Sequence, residues 1–307
     1  MNDSTTGQNR HFFIGGYFGW GNLGDELILW QMVRDLRLLV PECEITVWTN
    51  DPAFTQQWVH VNTIEYSNVD KLFKTIKGSI THVIVGGGGL LQDYSSLSFN
   101  ELFSEFKPRT ANYILPALAG KYYGKPVFFW SQGLGPLRSE EGGRFAKLFL
   151  SLADSGTFRD KESYLIADSL MEGFHNFHLD IDPATALDLN SLLKTLNIEK
   201  DIRNKANSRL SDKSLKIGVN IRPFWGKENI ALKFVKQIIK DLNDSYRQIK
   251  DITLIPIPFD MREDVPLLRT VIKEFDLPNV TINSSPIETP SFKKSIYHML
   301  LCDSFIG

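Results

Sequence analysis

The chain has 307 residues, 42% hydrophobic and 23% charged, with a net charge of −2 and an isoelectric point near 6.3. That length suits two domains of ordinary globular composition, and the near-neutral balance excludes an overall pull toward nucleic acid or anionic membrane. The two cysteines, Cys43 and Cys302, have no metal-ligand or disulfide-framework spacing and fit reduced structural thiols. Met1–Arg10 is polar, without the apolar centre of a signal peptide, and no run of about 18 apolar residues occurs. A cytoplasmic location is expected.

After a tail over residues 1–10 that is expected to be disordered, apolar strands alternate with amphipathic helices. His11 to Gly16 reads as a short strand ending in glycine. Asp25 to Leu39 carries Leu27, Ile28, Val33, Leu36 and Leu39 close to helical spacing. Glu44 to Trp48 is a second strand, Asp70 to Lys77 a helix, and His82 to Val85 a third strand that runs into four glycines. Arg109 to Tyr123 reads as a helix, with Pro116 a kink risk. Pro126 to Ser131 is a strand, Gly143 to Leu152 a helix and Ser155 to Arg159 a strand. Asp160 can cap a helix over Lys161–Met171, and Phe177 to Ile181 is a further strand. Uninterrupted apolar strands alternating with helices argue for a parallel sheet covered on both faces, so residues 11–187 read as one doubly wound, Rossmann-like domain.

Residues 188–213 are charged and partly helical, and read as a connector. A second β/α series occupies residues 214–307. Its strands are Leu215–Ile221, Asp251–Ile257 and Val280–Ile282, and its helices Ala231–Leu242, Glu263–Phe275 and Pro290–Leu301. Ser304–Ile306 opens one more strand and the chain stops, so this second Rossmann-like domain is expected to be incomplete.

Three glycine-rich segments follow strands of the first domain: Gly19-Trp20-Gly21-Asn22-Leu23-Gly24, Gly86 to Gly89, and Gly133-Leu134-Gly135-Pro136. In a doubly wound sheet the strand C-termini share one edge, where ligands bind, and glycine lets backbone approach a ligand closely. The first segment matches G-x-G-x-x-G, but the nearest candidate for the ribose-binding acid, Asp51, follows the next strand. Asp25 and Glu26 directly after the loop would repel a pyrophosphate, and suit a helix dipole or sugar hydroxyls instead. Nicotinamide and flavin binding are therefore disfavoured. No P-loop, H-E-x-x-H or G-x-S-x-G pattern occurs, and His11, His60, His82, His175, His178 and His298 form no ligand set. Arg159 ends a strand, Arg222 ends the first strand of the second domain, and Arg138 follows the third glycine segment. Guanidinium groups at strand ends facing an interdomain cleft suit bidentate capture of carboxylate or phosphate.

The ordered motifs Gly21-Asn22-Leu23-Gly24-Asp25-Glu26, Gly86-Gly87-Gly88-Gly89-Leu90-Leu91-Gln92-Asp93, Gln132-Gly133-Leu134-Gly135-Pro136, Arg159-Asp160 with Ser163, Asp182-Pro183-Ala184 and Asn220-Ile221-Arg222-Pro223 resemble the polysaccharide pyruvyl transferases, especially the bacterial group that modifies cell-wall polymers and exopolysaccharides. The resemblance runs from about residue 12 to 307. It implies a GT-B-like pair of Rossmann-like domains and transfer of pyruvate from phosphoenolpyruvate onto a pair of saccharide hydroxyls as a ketal. It further implies phosphoenolpyruvate as co-substrate with no other cofactor and no metal. The acceptor would be a saccharide, free or lipid-linked, the latter with peripheral membrane contact, and nucleic acid is not a partner. Arg159, Arg222 and Arg138 would hold the donor's anionic groups. Asp25 or Glu26 would act as base or hold the sugar. Gly21, Asn22, Gly87, Gly88, Asp93, Ser95, Gln132 and Gly133 would line the acceptor side. In the family an active-site Arg and His follow a strand like Asp303–Gly307, so catalysis is expected to depend on residues past the end of this sequence. Two other readings compete: a GT-B-type sugar-nucleotide glycosyltransferase, and an inactive, truncated glycan-binding relative.

Overall fold

The computed structural model describes residues 10–93, 97–103, 110–171, 176–208, 214–222, 228–246, 251–273 and 280–306. By internal contacts the chain divides into two compact units, Met1–Trp20 with Gly24–Leu187, and Gly21–Leu23 with Asp188–Gly307.

The first unit is built on strands β1 (His11–Gly15), β2 (Glu44–Thr49), β3 (Asn62–Glu65), β4 (His82–Leu91), β5 (Val127–Leu134), β6 (Ser155–Phe158) and β7 (Phe177–Leu179). They form one parallel sheet in the order β3-β2-β1-β4-β5-β6-β7. Its helices are α1 (Leu23–Leu39), α2 (Pro52–Val59), α3 (Val69–Gly78), α4 (Leu115–Tyr122), α5 (Glu140–Ser151) and α6 (Lys161–Leu170). The strand order reverses direction between β1 and β4, which makes their C-terminal ends the switch point of a doubly wound sheet. Phe13, Trp48, Leu72, Ile76, Val83, Val85, Phe149 and Phe158 have no exposed surface, and Phe129 almost none. Burial of each large side chain contributes about 1.5–3 kcal/mol.

Several local signals decide the boundaries. Asp51 accepts from Phe54 N at 3.0 Å and Pro52 follows, so the capped α2 begins here, in a segment to which the sequence reading assigned no element. The expected helix from Arg109 is replaced by a 3₁₀ segment, Thr110–Ile114, and then α4; Arg109 itself lies outside the described residues. Pro116 does not kink this helix. It lies in its first turn, where its missing N–H has no intrahelical acceptor to lose. Ser139 caps α5 through Gly142 N, which starts that helix before Gly143.

The glycine run also differs from expectation. β4 does not stop at Val85 but continues through Gly86–Gly89 to Leu91, with a register shift between Gly88 and Leu91. A Cβ on Gly86 would stand 2.2 Å from Trp130 O and 2.9 Å from Trp130 N, both backbone atoms of the neighbouring strand. Gly86→Ala should therefore destabilise the first unit by on the order of 3 kcal/mol, read as a fall in the denaturant midpoint.

The second unit has β8 (Leu215–Val219), β9 (Ile252–Pro256), β10 (Val280–Ile282) and β11 (Ser304–Ile306). They form a parallel sheet in the order β10-β9-β8-β11. Its helices are α7 (Leu189–Thr195), α8 (Glu199–Ser208), α9 (Glu228–Tyr246), α10 (Asp264–Lys273), α11 (Ser285–Glu288) and α12 (Phe292–Leu300). Ile217, Val219, Val235, Ile239, Leu254 and Leu268 form its core. The connector therefore contains two helices, the first capped by Asp188 on Ser191 N. Among the described residues no helix is long and apolar enough to cross a membrane.

Burial lowers the pKa of His11, His82 and His298 below the usual histidine value, although Glu44 beside His11 acts in the opposite direction. The unfolded chain then binds more protons than the folded one between the depressed folded values and the ordinary value of about 6.5. Stability is fully present above that value and falls as pH drops through this window. Denaturant midpoints should decline between about pH 7.5 and about pH 5. The decline should be shallower in His11→Gln, whose parent imidazole Nε2 lies 2.8 Å from Thr46 Oγ1.

Candidate functional site

At the switch point of the first unit, β1 leads through Gly16–Trp20 toward α1. A Cβ on Gly16 would stand 2.6 Å from Gly86 O, so the β1 loop and β4 touch backbone to backbone. Gly19 has φ +75° and donates its N–H to Glu26 Oε1 at 2.7 Å. Glu26 is fully buried, and its carbonyl accepts from Trp58 Nε1 at 2.9 Å. Its carboxylate thus holds the turn that leads into α1. The sequence reading that let Glu26 serve as base or sugar ligand is corrected by this burial, because a saccharide cannot reach the group.

Asp25, one residue earlier, points elsewhere. It is half-buried, and a Cβ on Gly88 would lie 2.6 Å from its Oδ1. Gly88 has φ +85° and Gly87 φ +80°, a left-handed conformation that side chains disfavour. The missing side chain at Gly88 gives the Asp25 carboxylate room against the β4 backbone. Nearby, burial raises the pKa of Tyr66 and, well above the usual value, of Tyr113, with the Asp25 charge among the lesser causes for Tyr113. Both phenols therefore stay protonated at neutral pH.

Gln132 on β5 is fully buried, and its Nε2 donates to Gly88 O at 3.3 Å and Gly133 O at 3.0 Å. It ties the two glycine-bearing strands together rather than facing an acceptor. A Cβ on Gly133 would lie 2.8 Å from Arg159 Nε, and one on Gly89 would lie 3.4 Å from Arg159 Nη2. The guanidinium therefore lies across both strands. Two carboxylates orient it: Asp182 Oδ2 accepts from Nη1 at 3.1 Å and Asp160 Oδ2 stands 3.5 Å from Nε. Each is fixed in turn, Asp160 by capping Ser163 N and Asp182 by accepting from Ala184 N. Ser163 Oγ accepts from Leu134 N at 2.9 Å. The motif residues Arg159, Asp160, Ser163, Asp182 and Ala184 thus form one bonded set.

Asp93 has a different task from the expected acceptor lining. Its Oδ2 accepts from Ser139 N at 2.8 Å and Ser139 Oγ at 2.5 Å, and these bonds, the hydroxyl's foremost, lower its pKa. It anchors the start of α5. Arg138 is exposed just before that anchor. Ser95 lies outside the described residues.

The first unit therefore brings Asp25, Gly87, Gly88, Gln132, Gly133 and Arg159 together on one sheet edge. Gly21 and Asn22 group with the second unit instead, in which Asn22 bridges Asp260, Leu23 N donates to Phe259 O at 2.6 Å and Met261 N to Gly21 O at 3.2 Å. Arg222 is exposed just past β8, with Nη2 3.9 Å from Asp260 Oδ2. Sequence reasoning missed Asp260, Arg262 and Asp264. Asp260 and Asp264 are buried around the start of α10, with Arg262 between them. The available signal was an Asp-x-Arg-x-Asp pattern directly after an apolar strand.

Among the described residues no cluster of His, Cys, Asp and Glu could hold a metal ion.

Solved structures share this architecture. The UDP-GlcNAc 2-epimerase from Neisseria meningitidis bound to UDP-GlcNAc is 13% identical, with a TM-score of 0.58 over 95% of this chain and 75% of that one. The UDP-GlcNAc 2-epimerase from Methanocaldococcus jannaschii is 12% identical, with a TM-score of 0.58 over 94% and 75%. The Photobacterium sp. JT-ISH-224 2,6-sialyltransferase in complex with CMP and lactose is 10% identical, with a TM-score of 0.53 over 96% and 67%. At these identities the likeness concerns the fold, which is GT-B-like: two α/β units, each on a parallel sheet. The family model for polysaccharide pyruvyl transferase matches residues 22–284, and the chain belongs to that family. No curated protein matches it in sequence.

Proposed function

We propose that this protein transfers pyruvate from phosphoenolpyruvate onto two hydroxyls of a saccharide, forming a ketal during synthesis of a cell-wall polymer or exopolysaccharide in the cytoplasm. The observation that carries the reading is the pairing, on one sheet edge, of the Asp25 carboxylate against Gly88 with the Arg159 guanidinium across Gly89 and Gly133. A carboxylate suits a sugar hydroxyl and a guanidinium suits an anionic donor.

In the reaction the donor's methylene carbon gains a proton and positive character builds at the adjacent carbon. One saccharide hydroxyl attacks there, phosphate leaves with the C–O bonding pair, and a second hydroxyl closes the ketal; of the two hydroxyl protons released, one balances the proton gained by the methylene carbon and the other leaves on phosphate. Arg159 binds an anionic group of the donor, and Arg222 offers the second unit a group of the same chemistry. Asp25 accepts the proton of the attacking hydroxyl. Glu26, Gln132 and Asp93 hold the surrounding backbone. The acceptor is a saccharide, free or lipid-linked, and the latter would bring the protein to a membrane surface.

The test is release of inorganic phosphate from phosphoenolpyruvate in the presence and absence of diol-bearing saccharides. Phosphate release that depends on the saccharide is expected. Nucleotide release from a sugar nucleotide, with phosphoenolpyruvate inert, would establish the competing glycosyltransferase reading, for which the shared fold supplies the motive.

A further inference from the structure

We infer that Ser131 is a positioning residue of the candidate site: its left-handed backbone aims Gln132 at Gly88, and its hydroxyl holds the segment that carries Asp182. One buried side chain thereby places both the Asp25 end and the Arg159 end of the sheet edge, acting through its neighbours. Ser131 lies within β5, is fully buried and has φ +46°. A residue with a Cβ adopts that conformation inside a strand only where its surroundings over-determine it.

The ladders on either side show what the turn does. β5 runs from Phe129 to Gln132 while β6 runs only from Gly156 to Phe158, so β5 carries an extra residue, a β-bulge at Trp130–Ser131. On the other side β4 runs from Gly88 to Leu91 while β5 runs only from Gln132 to Leu134, which puts a second bulge on β4. Gln132 stands between the two, in register with Gly88 and with Phe158. Bulges re-aim side chains, and here the Gln132 amide donates from Nε2 to Gly88 O at 3.3 Å and Gly133 O at 3.0 Å. Its Oε1 has no hydrogen-bond partner among the described residues, so these two bonds alone orient the amide. A Cβ on Gly88 would stand 2.6 Å from Asp25 Oδ1, so the first arm of the tie ends where that carboxylate packs.

The second arm runs toward Arg159. Ser131 N donates to Thr157 Oγ1 on β6 at 2.8 Å, and Ser131 Oγ donates to Ile181 O at 2.8 Å. β6 separates β5 from β7 in the sheet, so the hydroxyl ties β5 to the segment that follows β7. The next residue in that segment, Asp182, accepts from Arg159 Nη1 at 3.1 Å. Arg159 N in turn donates to Gln132 O at 3.4 Å. Glycine at position 131 would adopt the same backbone without strain, so what serine adds is the bond to Ile181 O. The catalytic meaning rests on the proposed pairing of Asp25 with Arg159, whereas the two-armed tie rests on the geometry of the first unit.

The experiment combines crystal structures, thermal melts and steady-state kinetics of the full chain. The proteins compared are the wild type, Ser131→Ala, Ser131→Gly and the control Thr46→Val, which removes another buried hydroxyl of the same sheet, the one 2.8 Å from His11 Nε2. In both Ser131 variants the Asp182–Arg159 bond should be lost. The kcat/KM for phosphoenolpyruvate in saccharide-dependent phosphate release should fall about 10- to 100-fold, with a higher KM from the loosened Arg159. Ser131→Gly should melt no lower than Ser131→Ala, because glycine accepts the left-handed backbone, yet lose as much turnover. Thr46→Val should lose stability with kcat/KM unchanged. Should Ser131→Ala fail to fold, Ser131→Gly carries the test. Intact Asp182–Arg159 and Gln132–Gly88 bonds in the Ser131 variants, or turnover that simply follows melting temperature across the set, overturns the inference. Displaced bonds in a protein whose wild type releases no phosphate from phosphoenolpyruvate with any saccharide uphold the tie and refute the proposed reaction. Saccharide-dependent release by the wild type with undiminished kcat/KM in both Ser131 variants does the reverse.

Discussion

Asp25→Asn is expected to lower saccharide-dependent phosphate release by about 10²- to 10⁴-fold, the usual contribution of a general base. The substitution keeps size and shape, so the close approach to Gly88 survives and the fold should hold. What is lost is the capacity to accept a proton from a hydroxyl. The neighbouring carboxylate cannot substitute, because Glu26 is buried and engaged with Gly19 N. Gly88→Ala provides the complementary test. Its methyl would stand 2.6 Å from Asp25 Oδ1, on a backbone with φ +85°, so it should displace the carboxylate and lower turnover while Asp25 itself is intact. Near-normal turnover of Asp25→Asn would reject its assignment as base.

Arg159→Met should reduce kcat/KM for phosphoenolpyruvate by about 10²- to 10³-fold, comparable with the loss of one preorganised electrostatic contact. Methionine preserves much of the aliphatic stem but removes the cation lying across Gly89 and Gly133. Arg159→Lys should recover little, since a point charge cannot reproduce the planar fork that meets Asp160 and Asp182 while spanning two strands. The side chain is one-third exposed, so its ion pairs are partly screened and the stability loss should stay within about 1 kcal/mol. A large fall in melting temperature with unchanged kcat/KM would instead assign Arg159 a purely structural part.

The alternation of apolar strands with helices was legible because strands covered on both faces must be apolar throughout: Val83, Ile84 and Val85 are all buried. The glycine-rich positions of the candidate site were equally legible, but not their geometry. Gly86–Gly89 read as a loop because glycine has no side chain to pack and weakens a strand interior, yet the ladder to β5 continues past them with a register shift. Asp25 and Glu26 are indistinguishable as letters. Their difference comes from helix phase, which turns one carboxylate toward Gly88 and the other toward Gly19. Gln132 and Asp93 read as polar groups facing a ligand, but their bonds to Gly133 O and Ser139 belong to the scaffold. The Asp260 arrangement joins residues after two different strands, and no local window of sequence contains both Arg222 and Arg262.

The most direct measurement is the chemistry of the product. The protein is incubated with phosphoenolpyruvate and a diol-bearing saccharide, and the saccharide is recovered for mass spectrometry and carbon NMR. The account predicts a carboxyethylidene adduct with one quaternary ketal carbon, formed together with an equal amount of phosphate. An unmodified saccharide beside hydrolysed donor, or a glycosylated saccharide formed only from a sugar nucleotide, would contradict it.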